Sequence, residues 1–286
     1  MCEKGKNILN IERILNRIEA LPPLPKTIVE IEKYRIKKDK EIDELQKIVE
    51  KDALIVANLL KIANSAMFGF RSRVETPKRA ISLLGINFTV SVAISTSSQK
   101  LLLTSLGAYG YSNDEFMDAS NMASVLASLW LNTYETELKD EIVLASLLQE
   151  VGKFIISDSL KYEKKDKDFR ALVEEGEYSV ESIERNFLGF TSSFVAAQVF
   201  KHWKLSANLI NSIEFVDDIQ NVAKGFEKRA KILSTIKTIC NIKEPLSDES
   251  IKKGLEKVKL YNLDMITLQR AISTLKTRLE KKQLES

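Results

Sequence analysis

One histidine, His202, and two cysteines, Cys2 and Cys240, carry all the imidazole and thiol chemistry of this 286-residue chain. That count excludes a multi-histidine transition-metal site, which needs several N or S ligands converging on one ion. His202 adjoins Trp203 at the end of a helix that runs from Phe194, where an imidazole is favourable when charged and acceptable when neutral. The cysteines lie far apart and suggest no disulfide framework. Cys240 has no identifiable base to activate it and reads as a packing residue. Hard-ligand chemistry has one candidate in spacing alone: Glu214, Asp217 and Asp218 fall at i, i+3 and i+4 on one helix face. That pattern can hold a cation such as Mg²⁺, and it equally describes an exposed acidic stripe. Arg35, Lys37, Lys38 and Lys40 form a basic patch, and Arg278, Lys281 and Lys282 another. Both are interleaved with acids and lack stacking aromatics, so they read as solvated faces and no nucleic-acid partner is expected.

The elements that must position these groups are helical. Ten glycines and five prolines are less than half of average usage, about 12% of a chain, and strand-rich folds need more turns than that. Pro22, Pro23 and Pro25 cluster, and no proline interrupts the chain from Lys78 to Glu244. Phe116, Ala119, Met122, Ala123, Leu126, Leu129 and Trp130 recur at helical steps, as do Leu144, Ala145, Leu148, Val151 and Ile155. Leu45, Ile48 and Val49 begin another apolar face, behind acids suited to a helix N-terminus. Thr76-Pro77, Ser206 and Ser247 read as helix starts. The last opens a hairpin of two helices, about Asp248 to Val258 and Met265 to Lys282. Its Leu255, Val258, Ile266, Leu268, Ile272 and Leu275 must be covered by something. The runs Glu163 to Asp168 and Gly107 to Gly110 read as loops.

With 43 Lys+Arg against 40 Asp+Glu, a net charge of +3 and 29% charged residues, the chain is expected to fold and not to be a dedicated nucleic-acid or membrane-surface protein. No apolar stretch approaches the roughly 18 residues of a membrane span. The start, MCEKGKNILNIERIL, lacks a signal-peptide core. A cytoplasmic protein without membrane insertion is the expectation.

From Leu21 the chain runs LPPLPKTIVEIEKY, then ELQKIVEKDALIVANLLKIANSAMFG, then RVETPKRAISLLGINFTVSVAIS. Here it resembles the HDOD family, bacterial signalling domains related to the HD-type metal phosphohydrolases. Leu21, Pro22, Leu24, Pro25, Asp52, Asn64, Ser65, Gly69 and Gly85 carry the signature, with Trp203 downstream. The resemblance spans 15–218 and implies an all-α, phosphodiesterase-like helical bundle: an N-terminal helical lobe at 21–105 and a degenerate HD-like bundle at 112–218. A C-terminal helical extension, 219–286, contains the hairpin. Physically, the prolines stiffen an extended approach to the first lobe helix. Asn64 and Ser65 can bond backbone groups freed as a helix ends, Gly69 permits positive φ, and Met67 and Phe68 anchor inward.

The same resemblance locates the metal ligands of the hydrolases. The first histidine falls on Ala119 and the His-Asp pair on Gln149-Glu150. The later histidines fall on Ser192, allowing one position of slippage, and on Val216-Asp217, with a final aspartate near Ser234. No position keeps an imidazole, and Gln149, Glu150 and Asp217 are too few and too oxygen-only for a transition-metal site. No metal or other cofactor is expected. Glu150 either faces the pocket or is solvated, since neighbours on a helix diverge by about 100°. Lys153, matching the lysine of the HD segment, reads as a surface helix lysine or as a phosphate contact in a surviving pocket. The resemblance implies a non-catalytic regulator that binds another, unidentified, signalling protein, in pathways such as motility or stress response. The alternatives are a residual phosphodiesterase or nucleotide phosphohydrolase using Glu150 and Asp217 with Mg²⁺ or Mn²⁺, and a nucleotide-sensing module without hydrolysis.

Overall fold

The computed structural model describes residues 10–70, 72–102 and 104–285, with side chains to residue 281. Cys2 and the side chain of Lys282 lie outside the described residues. Among those described no strand occurs, and the fold is all-α as the sequence predicts. In chain order the helices are α1 (Ile11–Glu19), α2 (Lys26–Arg35), α3 (Ile42–Val49), α4 (Ala53–Ala63), α5 (Pro77–Leu84), α6 (Ile86–Leu102), α7 (Asn113–Leu131) and α8 (Lys139–Leu148). They continue with α9 (Gly152–Tyr162), α10 (Asp166–Glu175), α11 (Val180–Leu188), α12 (Ser192–His202), α13 (Ala207–Glu214), α14 (Glu227–Ile239), α15 (Asp248–Tyr261) and α16 (Met265–Glu285).

The front lobe gathers α2, α3, α4 and α5 around α6, which also packs across onto α8. Its starts follow local chemistry. The Asp52 carboxylate accepts the Leu54 N–H to cap α4, and the Thr76 hydroxyl accepts the Arg79 N–H to cap α5, with Pro77 in the first turn. Gly85, at φ +87°, ends α5 and lets α6 leave at 117° to it. Asn64 ends α4 and clamps the signature loop: its carboxamide accepts the Val74 N–H at 2.8 Å and donates to the carbonyls of Val74 and Leu60 at 2.8 and 2.9 Å. Ser65 does not share that task, since its buried hydroxyl has no hydrogen-bond partner among the described residues. Gly69 takes φ +63°, Met67 is buried, and Phe68 packs edge-on to Phe88.

In the bundle α7 packs on α8, α9 on α12 and α12 on α13, and α14 lies against α7, α8 and α13. The Ser206 hydroxyl caps α13 by accepting the Leu209 N–H, as expected. The run Glu163 to Asp168 is only partly loop, since Asp166 and Asp168 open α10, where acids favour a helix N-terminus. Trp203, ending α12, donates its indole N–H to the Pro22 carbonyl at 3.0 Å, so the proline lead-in of the lobe is tied to the bundle.

The C-terminal hairpin is longer than the sequence predicts, with α15 reaching Tyr261 and α16 reaching Glu285. It is covered by the bundle: α15 lies on α14 and α16 on α7, burying Val258, Leu268, Ile272 and Leu275. Trp130 donates its indole N–H to the Thr267 hydroxyl at 3.2 Å, and Arg278 reaches the Met67 carbonyl of the signature loop. Ile266 does not join this face and is 63% exposed, because it leaves the turn pointing to solvent. No single helix among the described residues is long and apolar enough to cross a membrane.

Candidate functional site

Two lysines, not histidines, lie at the centre of the bundle. The turn after α8 leads directly into Gly152, where an added Cβ would fall 2.0 Å from the Ser192 carbonyl oxygen and 2.8 Å from the Ala196 nitrogen. Only glycine allows this close crossing of α9 and α12, and it places Lys153 beneath the start of α12. Lys153 is therefore no surface lysine: it is 2% exposed. Its ammonium lies 2.7 Å from Glu150 Oε2 and 3.1 Å from Glu184 Oε1, donates to Ser192 Oγ at 3.0 Å, and faces the Tyr109 ring. Glu184, wholly buried on α11, also accepts the Tyr109 hydroxyl at 2.8 Å and the Ser192 N–H at 2.7 Å.

Lys237, buried on α14, is surrounded in the same way. Asp217 accepts from it through both oxygens at 2.8 and 2.9 Å, Glu181 and Glu150 lie at 3.2 and 3.3 Å, and Ser193 Oγ accepts at 3.3 Å. Glu150 bridges the two ammonium groups with its side chain 13% exposed, so of its two alternatives it takes the pocket-facing one. Burial works against both lysine charges, but Glu150 with Glu184 around Lys153, and Asp217 with Glu150 around Lys237, outweigh it and raise both pKa values. Burial acts to raise the Glu181 carboxyl, yet Lys237 and Lys153 hold it below the usual carboxylate range. For Glu184 burial wins and the carboxyl is raised. Burial likewise pushes the Cys240 thiol up, in keeping with a packing role.

Of the positions that the hydrolase resemblance marks, Glu150, Ser192 and Asp217 meet through the two lysines. Ala119 and Val216 are buried without a polar side-chain atom to offer, and Gln149 is buried with its Oε1 unpaired among the described residues. Ser234 accepts from Lys257 at 2.9 Å. The acidic helix face of Glu214, Asp217 and Asp218 does not form. α13 stops at Glu214, Val216 turns into the core, and Asp217 follows it inward. Glu214 instead pairs with Lys201 at 2.6 Å, and Asp218 accepts from Asn221. His202 ends α12, at the opposite end from Ser192.

The donor set does not fit a metal ion of the hydrolase type. Ammonium groups stand among the carboxylates, no imidazole is near, and among the described residues no group of His, Cys, Asp and Glu is placed to hold a metal. Sequence reasoning missed Lys237, Glu181, Glu184 and Tyr109. The signal for Lys237 was a lone charge in the apolar run ILSTIKTIC, and for the acids an i, i+3 pair on α11.

The lysine pair forms one wall of a cleft of about 670 Å³ that Tyr111, Tyr178, Lys243 and Lys257 also line. A larger cavity, about 770 Å³ beside the turn from α11 to α12, is lined by Arg185, Phe190, Phe194 and Phe215 and contains neither lysine. In the basic patch of the lobe, Arg35 pairs with Glu32 and Lys37 with Glu44.

Comparison with known proteins agrees with this architecture. A family model of the HDOD domain matches residues 21–219. A solved virulence factor from Campylobacter jejuni is 26% identical, with 94% of this chain and 99% of that one covered at a TM-score of 0.56. An HDOD domain protein of unknown function from Geobacter sulfurreducens shares the fold at 16% identity, with 93% and 99% covered and a TM-score of 0.62. An uncharacterized protein of Treponema pallidum (strain Nichols) is 27% identical over 89 residues, 31% of this chain and only 17% of that relative's length.

Proposed function

The chain belongs to the HDOD domain family, and on that premise we propose that it is a non-catalytic regulatory protein of the bacterial cytoplasm that acts by binding another signalling protein. The observation that carries this reading is the pair of ammonium groups, Lys153 and Lys237, seated among Glu150, Glu181, Glu184 and Asp217. A metal in an HD-type site polarises phosphate and lowers the pKa of bound water to make a nucleophile. A lysine ammonium neutralises the same carboxylates but offers no open coordination position. The helical frame is kept while the chemistry of the hydrolases has lost its seat. We place the chain in pathways such as motility or stress response, as the family resemblance implies.

The test is metal analysis of protein purified without chelator, with turnover assays on cyclic dinucleotides and model phosphodiesters in Mg²⁺ and Mn²⁺, alongside affinity capture from native extract. Substoichiometric metal, no turnover and a reproducible signalling partner are expected. Stoichiometric metal with turnover that is lost in Glu150→Ala would overturn the reading, as would captures that repeatedly return nothing specific.

A further inference from the structure

The cleft beside the lysine pair contains cations of two kinds. Lys153 and Lys237 are saturated by carboxylates, and Lys253 pairs with Glu249 at 3.3 Å. Lys257 and Lys243 form no ion pair with any carboxylate among the described residues. Lys257 is held inward by the backbone beneath it. An added Cβ at Gly254 would fall 2.2 Å from Ile239 Cγ1, so α15 sits tightly on α14 one turn before Lys257. There its ammonium donates to Ser234 Oγ at 2.9 Å and to the Ser234 carbonyl at 3.4 Å. Both acceptors are uncharged, and an ammonium has three N–H groups to place. Burial lowers the Lys257 pKa, with the nearby Lys237 charge acting in the same direction against partial relief from Glu181 and Asp217. That is the behaviour of a cation short of counter-charge. Lys243 stands at the exposed mouth of the same cleft, its ammonium beside Gly176. Glu244 and Glu256 also line the mouth, where they are exposed and screened by solvent. Tyr178, 67% exposed, adds an aromatic ring.

We propose that this cleft binds a small phosphorylated ligand of the nucleotide class, its phosphate held by Lys257 and Lys243 and its base laid against Tyr178. A phosphate supplies several acceptor oxygens and the negative charge that Lys257 lacks, and charge-assisted bonds of this kind are the strong ones. The proposal is separate from the regulatory reading above, since ligand binding requires neither a protein partner nor the absence of one.

Calorimetry on the full chain with inorganic phosphate, AMP and GMP tests it. Both nucleotides are expected to bind more tightly than phosphate, and all binding is expected to weaken as ionic strength rises. Lys257→Gln and Lys243→Gln are each expected to weaken binding about tenfold, as loss of one charge-assisted contact does. Lys252→Gln, exposed and outside the cleft, is expected to change nothing. Tyr178→Ala is expected to weaken the nucleotides and leave inorganic phosphate unaltered. Because Lys243 is exposed, its variant keeps the test valid even where Lys257→Gln impairs folding. The proposal fails if no probe binds the intact chain at millimolar concentration, or if both lysine variants bind as the unaltered chain does.

Discussion

A buried ammonium is expensive unless oxygen surrounds it, and Lys237 is stable inside this bundle because Asp217, Glu181 and Glu150 all lie within 3.3 Å of its nitrogen. The dependence is mutual for Asp217, its side chain 6% exposed, which is tolerable at depth only while the lysine is present. Removing one partner of such a group leaves uncompensated charge, so Lys237→Met is expected to destabilise the fold by about 3–5 kcal/mol. Urea denaturation monitored by circular dichroism measures it. A loss under about 1 kcal/mol would mean that water reaches the cluster and solvates the freed carboxylates. The cluster was half legible in the sequence. Glu150, Ser192 and Asp217 were singled out by a family register, but Lys153 was assigned to a surface because nothing local distinguishes a solvated helix lysine from a buried one. Burial of Lys153 depends on Glu184 of α11, some thirty residues away, as well as on nearby Glu150 and the glycine beside it.

That glycine acts at the scale of elements. α9 and α12 cross so closely at Gly152 that even a methyl group would overlap the Ser192 carbonyl. Gly152→Ala is therefore expected to cost about 1–3 kcal/mol or more, because the neighbouring atoms are backbone and cannot rotate aside. A shift of the urea midpoint with faster hydrogen exchange at the start of α12 is the expected readout. Unchanged exchange there would show that the strain is relieved elsewhere. Helix starts set by a side chain within three residues, such as Thr76, Ser206 and Ser247, could be read from the sequence because their chemistry is local. The end of α13 could not. It stops because Val216 is drawn into a core assembled from distant segments, and the apparent acidic stripe of Glu214, Asp217 and Asp218 dissolves with it.

For the whole molecule, the internal charges predict a particular response to alkali. Lys153 and Lys237 hold their protons more tightly in the folded chain than in the unfolded one, where lysine titrates near about 10.4. Their stabilisation is thus complete below that pH and is lost as the pH rises through the higher folded values. Burial raises Tyr109, and raises Tyr111 to about 12, from the usual tyrosine value, which adds a loss of the same sign beginning at about pH 10. Lys257, lowered by burial, acts oppositely and gives a small gain as pH approaches 10.4 from below. Denaturation midpoints between pH 8 and pH 11.5, a range of about that span around the reference values, are expected to fall steeply above about pH 10. A flat alkaline limb would contradict the buried pairing.

The two tryptophans of the chain occupy different seams. Trp203 bonds the Pro22 carbonyl where the lobe's lead-in meets the bundle, and Trp130 bonds Thr267 where the C-terminal hairpin lies on α7. Each indole is therefore a native optical gauge of one junction. Replacing either by phenylalanine leaves a single emitter whose wavelength and quenching follow the other, so that separation of the lobe and lifting of the hairpin can be timed independently without an added label.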